Sequence, residues 1–207
     1  MPEEGMRARK KRQTENAIEQ SAVRLALQRG HAAVTVRDIC ESADISRATF
    51  FNYMPTREAA IFGRPVELVG EEAARAVLAA RSVVDPVIAV LHLLLASIGH
   101  ARMNPAVAQG RARLALEQPG AIESIRHQYA AITLQLTTFL AGWLRENPAV
   151  RRLPERSPED EASLAVGVGM TAMSALFAAQ DGETTDVELS EELFRAQVDA
   201  VRRVAGG

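Results

Sequence analysis

Apolar positions recur at three- and four-residue intervals from one end of the chain to the other, and strict alternation is nowhere sustained for the length of a strand. Over 14–28 the apolar stripe is Ile18, Ala22, Leu25 and Ala26, and Arg29-Gly30 ends it with a helix-stopping glycine. A short second helix opens at Thr35, whose hydroxyl can cap the chain, with Asp38 three residues on as the reciprocal partner. It turns Ile39 and Cys40 inward and ends near Ala43-Asp44. Ser46 opens a third short helix with Phe50 and Met54 four residues apart; Pro55 breaks it and Thr56 caps the next. Two short helices joined by Ala43, Asp44, Ile45 and Ser46, with another helix before them, have the layout of a helix-turn-helix. A unit of about 45 residues is too small to be stable alone, so it is expected to pack on the more C-terminal helices.

Longer helices come next, with clear punctuation. Asp85-Pro86, Asn104-Pro105 and Ser157-Pro158 each supply a capping side chain followed by proline at the first helical position. Glu159, Asp160 and Glu161 then suit the positive end of a helix dipole. The pattern predicts helices over 56–81 (broken at Gly63–Pro65), 86–102, 105–117, 120–146, 158–180 and 187–204, with a Pro- and Arg-rich surface loop over 147–157. The expected fold class is therefore all-α: an N-terminal three-helix helix-turn-helix domain followed by a C-terminal helical domain.

Composition narrows the function. Hydrophobic residues make up 47% of the 207, enough for a core, and the 4% of aromatics with abundant Ala and Leu favour helices over sheets. Net charge is −2, yet residues 1–60 carry ten Lys or Arg against eight Asp or Glu. Arg7, Arg9, Lys10, Lys11 and Arg12 lie together near the start. That run is expected to be a basic disordered arm over 1–13, either solvated or following DNA phosphates. Cys40 is the only cysteine, which rules out an intramolecular disulfide and a cysteine-based zinc site and fits a reducing, cytoplasmic setting. The stretch 162–179 is uncharged, but its Ala, Gly, Ser and Thr content reads as a buried helix at a subunit interface rather than a membrane span.

The segment TVRDICESADISRATFFNYMPTRE, residues 35–58, resembles the TetR family of bacterial regulators. The resemblance is carried in order by Thr35, Val36, Ile39, Cys40, Ile45, Ser46, Thr49, Phe50, Phe51, Met54, Arg57 and Glu58, and is specific over about 14–60. It implies a DNA-binding domain at 14–60 and a helical effector-binding and dimerisation domain at 61–207. The recognition helix would start at Ser46, with Arg47 bonding both acceptors of a guanine and Ala48 and Thr49 touching a thymine methyl. Thr35 and Arg37, on the helix before, match positions close to DNA. Asn52 and Tyr53 can donate to phosphate, and Arg57 at the next helix start is expected to seat one. Phe51 stands where the family often has a phosphate-contacting tyrosine. Asp44 stands where the turn usually has glycine, and tolerates a left-handed backbone. Cys40 replaces the usual alanine as small core packing.

In the C-terminal domain, Met103, His127, Tyr129, Phe139 and Trp143 are the candidates for an apolar effector pocket. Gly167 and Gly169 would let another helix approach closely, in a dimer seam built from 158–180 and 187–204, the latter carrying Leu189, Leu193, Phe194, Val198 and Val201. No catalytic or metal-binding constellation stands out. Glu71-Glu72, His92 and His100 lack ligand spacing on one face, and there is no nucleophile elbow or phosphate loop. No cofactor is expected. The sequence reads as a ligand-responsive repressor that binds an inverted-repeat operator as a homodimer and leaves it when a small-molecule effector binds. The other reading is a helical adaptor or oligomerisation protein with a degenerate DNA-binding unit.

Overall fold

Side-chain caps mark where the short helices of the N-terminal third begin, and they begin where the sequence predicts. The computed structural model describes residues 5–81, 83–180 and 186–206. Its helices run α1 Met6–Arg29, α2 Val36–Ala43, α3 Arg47–Tyr53, α4 Arg57–Phe62, α5 Glu71–Ala80, α6 Pro86–Ile98, α7 Pro105–Glu117, α8 Pro119–Glu146, α9 Pro158–Ala178 and α10 Glu191–Val204. Thr35, Ser46 and Thr56 each accept a hydrogen bond from the backbone amide three residues on, and Thr35 completes a capping box with Asp38. The all-α fold class, with a helix-turn-helix at the N-terminus, is what the structure shows.

The basic run is not a disordered arm among its described residues. α1 starts at Met6 and carries Arg7 through Arg12 as helix, with Arg12 itself buried; residues 1–4 of the expected arm lie outside the described residues. Arg, Lys, Gln, Glu and Ala are all good helix formers, so a segment without an apolar stripe still extends the helix backwards. The Thr14 hydroxyl, inside the helix, donates back to the Lys10 carbonyl at 3.1 Å.

Two compact units divide the described residues. The first holds 5–65 together with 104–127; the second holds 66–103, 128–180 and 186–206. A division of the chain at residue 60 therefore leaves part of the first unit out. α7 packs along α1, and its Val107 and Leu114 join Ile18, Ala22, Leu25, Ile39, Phe50, Met54 and Ile61 in one apolar cluster. The contact is close. A Cβ placed on Gly110 would come within 2.4 Å of the Val23 Cγ1, so only glycine lets α7 approach this near.

In the second unit α6 and α9 form the centre, with α5 and α10 packed on them. α6 ends at Gly99, which is left-handed (φ 86°), and not at 102. The next residues instead make a two-residue strand, Arg102–Met103, paired antiparallel with Val187–Glu188. α10 likewise begins at Glu191, capped by Ser190, rather than at 187. Both corrections come from this short ladder, whose two-residue strands are too brief to leave a periodic signal. α9 is long and apolar enough to cross a membrane by length and composition, but half of its apolar window is buried within the unit, as in a core helix. Gly169 is where α9 meets α6 of the same chain: a Cβ there would lie 2.9 Å from the Val90 Cγ1. It serves an internal contact, whereas Gly167 is exposed with nothing within 4 Å of its Cβ position. Phe194 and Val198, expected at a seam between subunits, are also buried in this unit.

Candidate nucleic-acid interface

α2 and α3 are held by what lies beneath them. Ile39, Phe50 and Met54 are fully buried, so the opposite sides of these two helices must face solvent. Asp44 makes the turn in the left-handed conformation (φ 52°, ψ 50°), and the amide of Ile45 donates to the Cys40 carbonyl at 3.0 Å. Cys40 is buried, as its core role requires, and that burial pushes its thiol pKa up, away from reactivity. Between α2 and α3 a cleft of about 550 Å³ is lined by Arg37, Cys40, Glu41, Asp44, Ile45 and Arg47.

The exposed face carries most of the side chains that sequence assigned to DNA. Arg37, Arg47, Ala48, Phe51 and Asn52 are exposed, and Thr49 and Tyr53 are half-buried, Tyr53 against the core. Arg37 donates from Nε to the Glu41 carboxylate at 2.7 Å, one helical turn along, a pair so exposed that it is worth little in water. Arg47 lies with its guanidinium carbon 5.5 Å from the centroid of the Phe51 ring. Thr35 and Ser46 are exposed but already occupied as caps. The Thr35 hydroxyl donates to Asp38 at 2.6 Å, which holds the Asp38 carboxyl below its usual pKa, and Ser46 accepts from the Thr49 amide at 3.0 Å.

Arg57 departs from expectation. Its Nη1 donates to the carbonyls of His31 (3.0 Å), Ala32 (3.4 Å) and Val34 (2.8 Å), and its Nε and Nη2 bind Glu58 at 2.9 and 2.6 Å. With its donors turned inward and its charge matched by Glu58, Arg57 ties the turn after α1 to α4 rather than offering itself to a phosphate. The adjacent acid and the carbonyl-rich turn out-compete solvent for a guanidinium that a helix start would otherwise display.

Two further side chains support the same unit. Arg111 of α7 donates from Nε to the Ile61 carbonyl (3.0 Å) and from Nη2 to the Ala60 carbonyl (3.2 Å) and to Glu19 (2.9 Å). It thereby satisfies carbonyls at the open C-terminal end of α4. Gln118 donates to the Ala26 carbonyl at 2.8 Å and accepts from the His31 amide at 2.9 Å, closing the end of α1. Neither was legible as a functional support. The one local signal was Gly110, an isolated glycine inside a helical pattern, which often marks close approach.

The five effector candidates are divided between the two units. His127 lies in the first unit and is exposed; Tyr129 is 52% exposed on the second, and Met103, Phe139 and Trp143 pack against or within that unit's core. None lines the second unit's open groove of about 480 Å³, whose walls include Pro86, Val87, Leu164, Val168, Arg152 and Arg202. The spacing along α8 put these residues on one helix without putting them on one face. Met103 belongs to the short strand.

Residues 18–60 match the sequence profile of the bacterial regulatory proteins of the tetR family. This N-terminal segment is similar to the DNA-binding domain of those regulators. The matched segment runs from the buried Ile18 of α1 into α4, and so includes every side chain on the α2–α3 face described above. Among solved structures, Salmonella enterica GusR aligns over 93% of both chains at 16% identity with a TM-score of 0.41, a likeness too slight to argue from. No curated protein matches the chain. The match makes the N-terminal helix-turn-helix a DNA-binding domain of the bacterial-regulator type, and α3 is its second helix.

Proposed function

We propose that the protein is a repressor that binds an inverted-repeat operator as a homodimer and is released by a small-molecule effector. The observation that carries the DNA half is the exposed α2–α3 face, where Arg37 and Arg47 stand over a fully buried Ile39, Phe50 and Met54. A guanidinium at the start of a rigidly backed recognition helix suits bidentate contact with guanine in the major groove. Dimerisation is supported by the uncharged outer side of α9, where Leu164, Gly167, Thr171, Ser174 and Ala178 are all exposed, and by the half-exposed Leu193 of α10. Small uncharged side chains of this kind let a second helix approach closely. A two-fold dimer presents two identical recognition helices, hence an inverted repeat. The groove beside α9, lined by Pro86, Val87, Leu164 and Val168 together with Asp85, Glu161, Arg152 and Arg202, has room for an effector.

Enrichment of a random duplex pool on the full-length protein tests the reading. The expected product is a sequence with two inverted half-sites about one DNA turn, roughly 34 Å, apart or a multiple of it. A pool that stays random at physiological salt contradicts it, as does sedimentation as a monomer at micromolar concentration.

A further inference from the structure

Phe51 is exposed to 46% on the DNA-facing side of α3, an unfavourable place for a phenyl ring that has no task there. Its surroundings give it one. The ring stands edge-to-face with Phe50, centroids 5.3 Å apart at 88°, and Phe50 is fully buried in the core of the unit. Phe51 is thus braced from beneath. On its other side lies Arg47, one turn earlier on the same helix, with its guanidinium carbon 5.5 Å from the ring centroid. That is within the reach of a cation–π contact, and the four-residue spacing is the one that brings helical side chains together.

The way Arg47 is held matters for what it can do. Arg37, on the helix before, donates one guanidinium N–H to a carboxylate. Among the described residues Arg47 has no ion pair, and an aromatic face orients a guanidinium while using none of its five N–H donors and leaving its charge whole. A guanidinium that is already oriented loses less freedom on binding, and one with all donors free can make the bidentate contact with a guanine.

We propose that Phe51 is a positioning residue that fixes the Arg47 guanidinium for base reading, so that the path from core to DNA runs Phe50, Phe51, Arg47. The proposal rests on the reading of α3 as a recognition helix. Phe51 contributes here through its ring alone, without the hydroxyl that a tyrosine would bring.

The test is a double-mutant cycle on the full-length protein, using a duplex enriched from a random pool by the unaltered chain. Phe51→Leu keeps apolar bulk but removes the π face; it should weaken binding about two- to fivefold, the range of an exposed cation–π contact. In an Arg47→Ala background the same change should have almost no effect, and both single variants should relax preference at the same base pair. Phe51→Tyr, which keeps the ring, should retain that preference. A folding defect would weaken both backgrounds alike, so the cycle separates it from positioning. If the two effects multiply, or if Phe51→Leu weakens all duplexes equally, the proposal is overturned while DNA binding stands. If no sequence is enriched at all, the DNA-binding reading falls and the proposal falls with it.

Discussion

Arg111→Ala is expected to destabilise the DNA-binding unit although residue 111 lies about 50 positions beyond the segment that matches the tetR family. The side chain is 20% exposed and Glu19 is 19% exposed, so solvent screens their pair only partly. Its other two acceptors are carbonyls of Ala60 and Ile61, residues that are themselves fully buried at the end of a six-residue helix. A net hydrogen bond contributes about 1 kcal/mol and one to a charged group up to about 3, and buried carbonyls left without donors cost more than the bonds were worth. The expected loss is about 2–4 kcal/mol, a large share of a typical stability of about 5–15 kcal/mol. The assay is amide hydrogen exchange under native conditions, read on peptides covering α1 and α4, where that loss corresponds to exchange roughly 30- to 900-fold faster. Arg113→Ala is the internal control. Arg113 pairs with Glu117 on the same helix at 64% and 49% exposure, and removing it should cost less than about 0.5 kcal/mol. If the two variants exchange alike, α7 does not stabilise the DNA-binding unit through Arg111.

Arg57→Ala should lower stability by about 1–3 kcal/mol in chemical denaturation, through the His31, Ala32 and Val34 carbonyls it leaves bare. It should leave the salt dependence of DNA binding unchanged; a slope smaller by about 0.9 would instead mark Arg57 as a phosphate contact. Gly167→Ala should be neutral or stabilising by up to about 1 kcal/mol, because its Cβ meets nothing, whereas Gly169→Ala should be destabilising by about 1–3 kcal/mol against the buried Val90. Equal effects would contradict the α6–α9 contact. His92 is buried, with Nε2 bound to Glu191 at 2.9 Å and Nδ1 without a partner among the described residues, and burial lowers its pKa below the ordinary 6.5. The unfolded chain therefore takes up this proton first, so the stability His92 contributes is present above about pH 6.5 and is lost as pH falls below it. Denaturation at pH 7.5 and 5.5 should show that loss in the native protein and a smaller one in His92→Gln.

Much of the first unit could be read in advance because its signals are local. Thr35, Ser46 and Thr56 cap within three residues, Asp44 solves its turn by its own backbone, and Ile39, Phe50 and Met54 fall on the helical period. What escaped was non-local or competitive. Arg57 looked like a phosphate seat because its rivals, the carbonyls of 31–34, lie more than 20 residues away in sequence. Arg111 and Gln118 reach across about 50 and 90 residues, and nothing in their neighbourhood announces it. Gly169 was correctly marked as a site of close helix approach, but the sequence does not say whether the approaching helix belongs to the same chain. The effector candidates along α8 meet a related difficulty: apolar and aromatic residues on one long helix serve its core as readily as a cavity.

In the proposed reading Arg47 reads a base from a preformed position on α3. Its most direct test is the affinity of the native protein and of Arg47→Ala for the enriched duplex and for its single-base-pair variants, at one fixed salt concentration. Arg47→Ala is expected to lose about 1–3 kcal/mol on the enriched duplex and to lose discrimination at one base pair in each half-site, while keeping it elsewhere. Uniform weakening across all variants, with every preference intact, would contradict it.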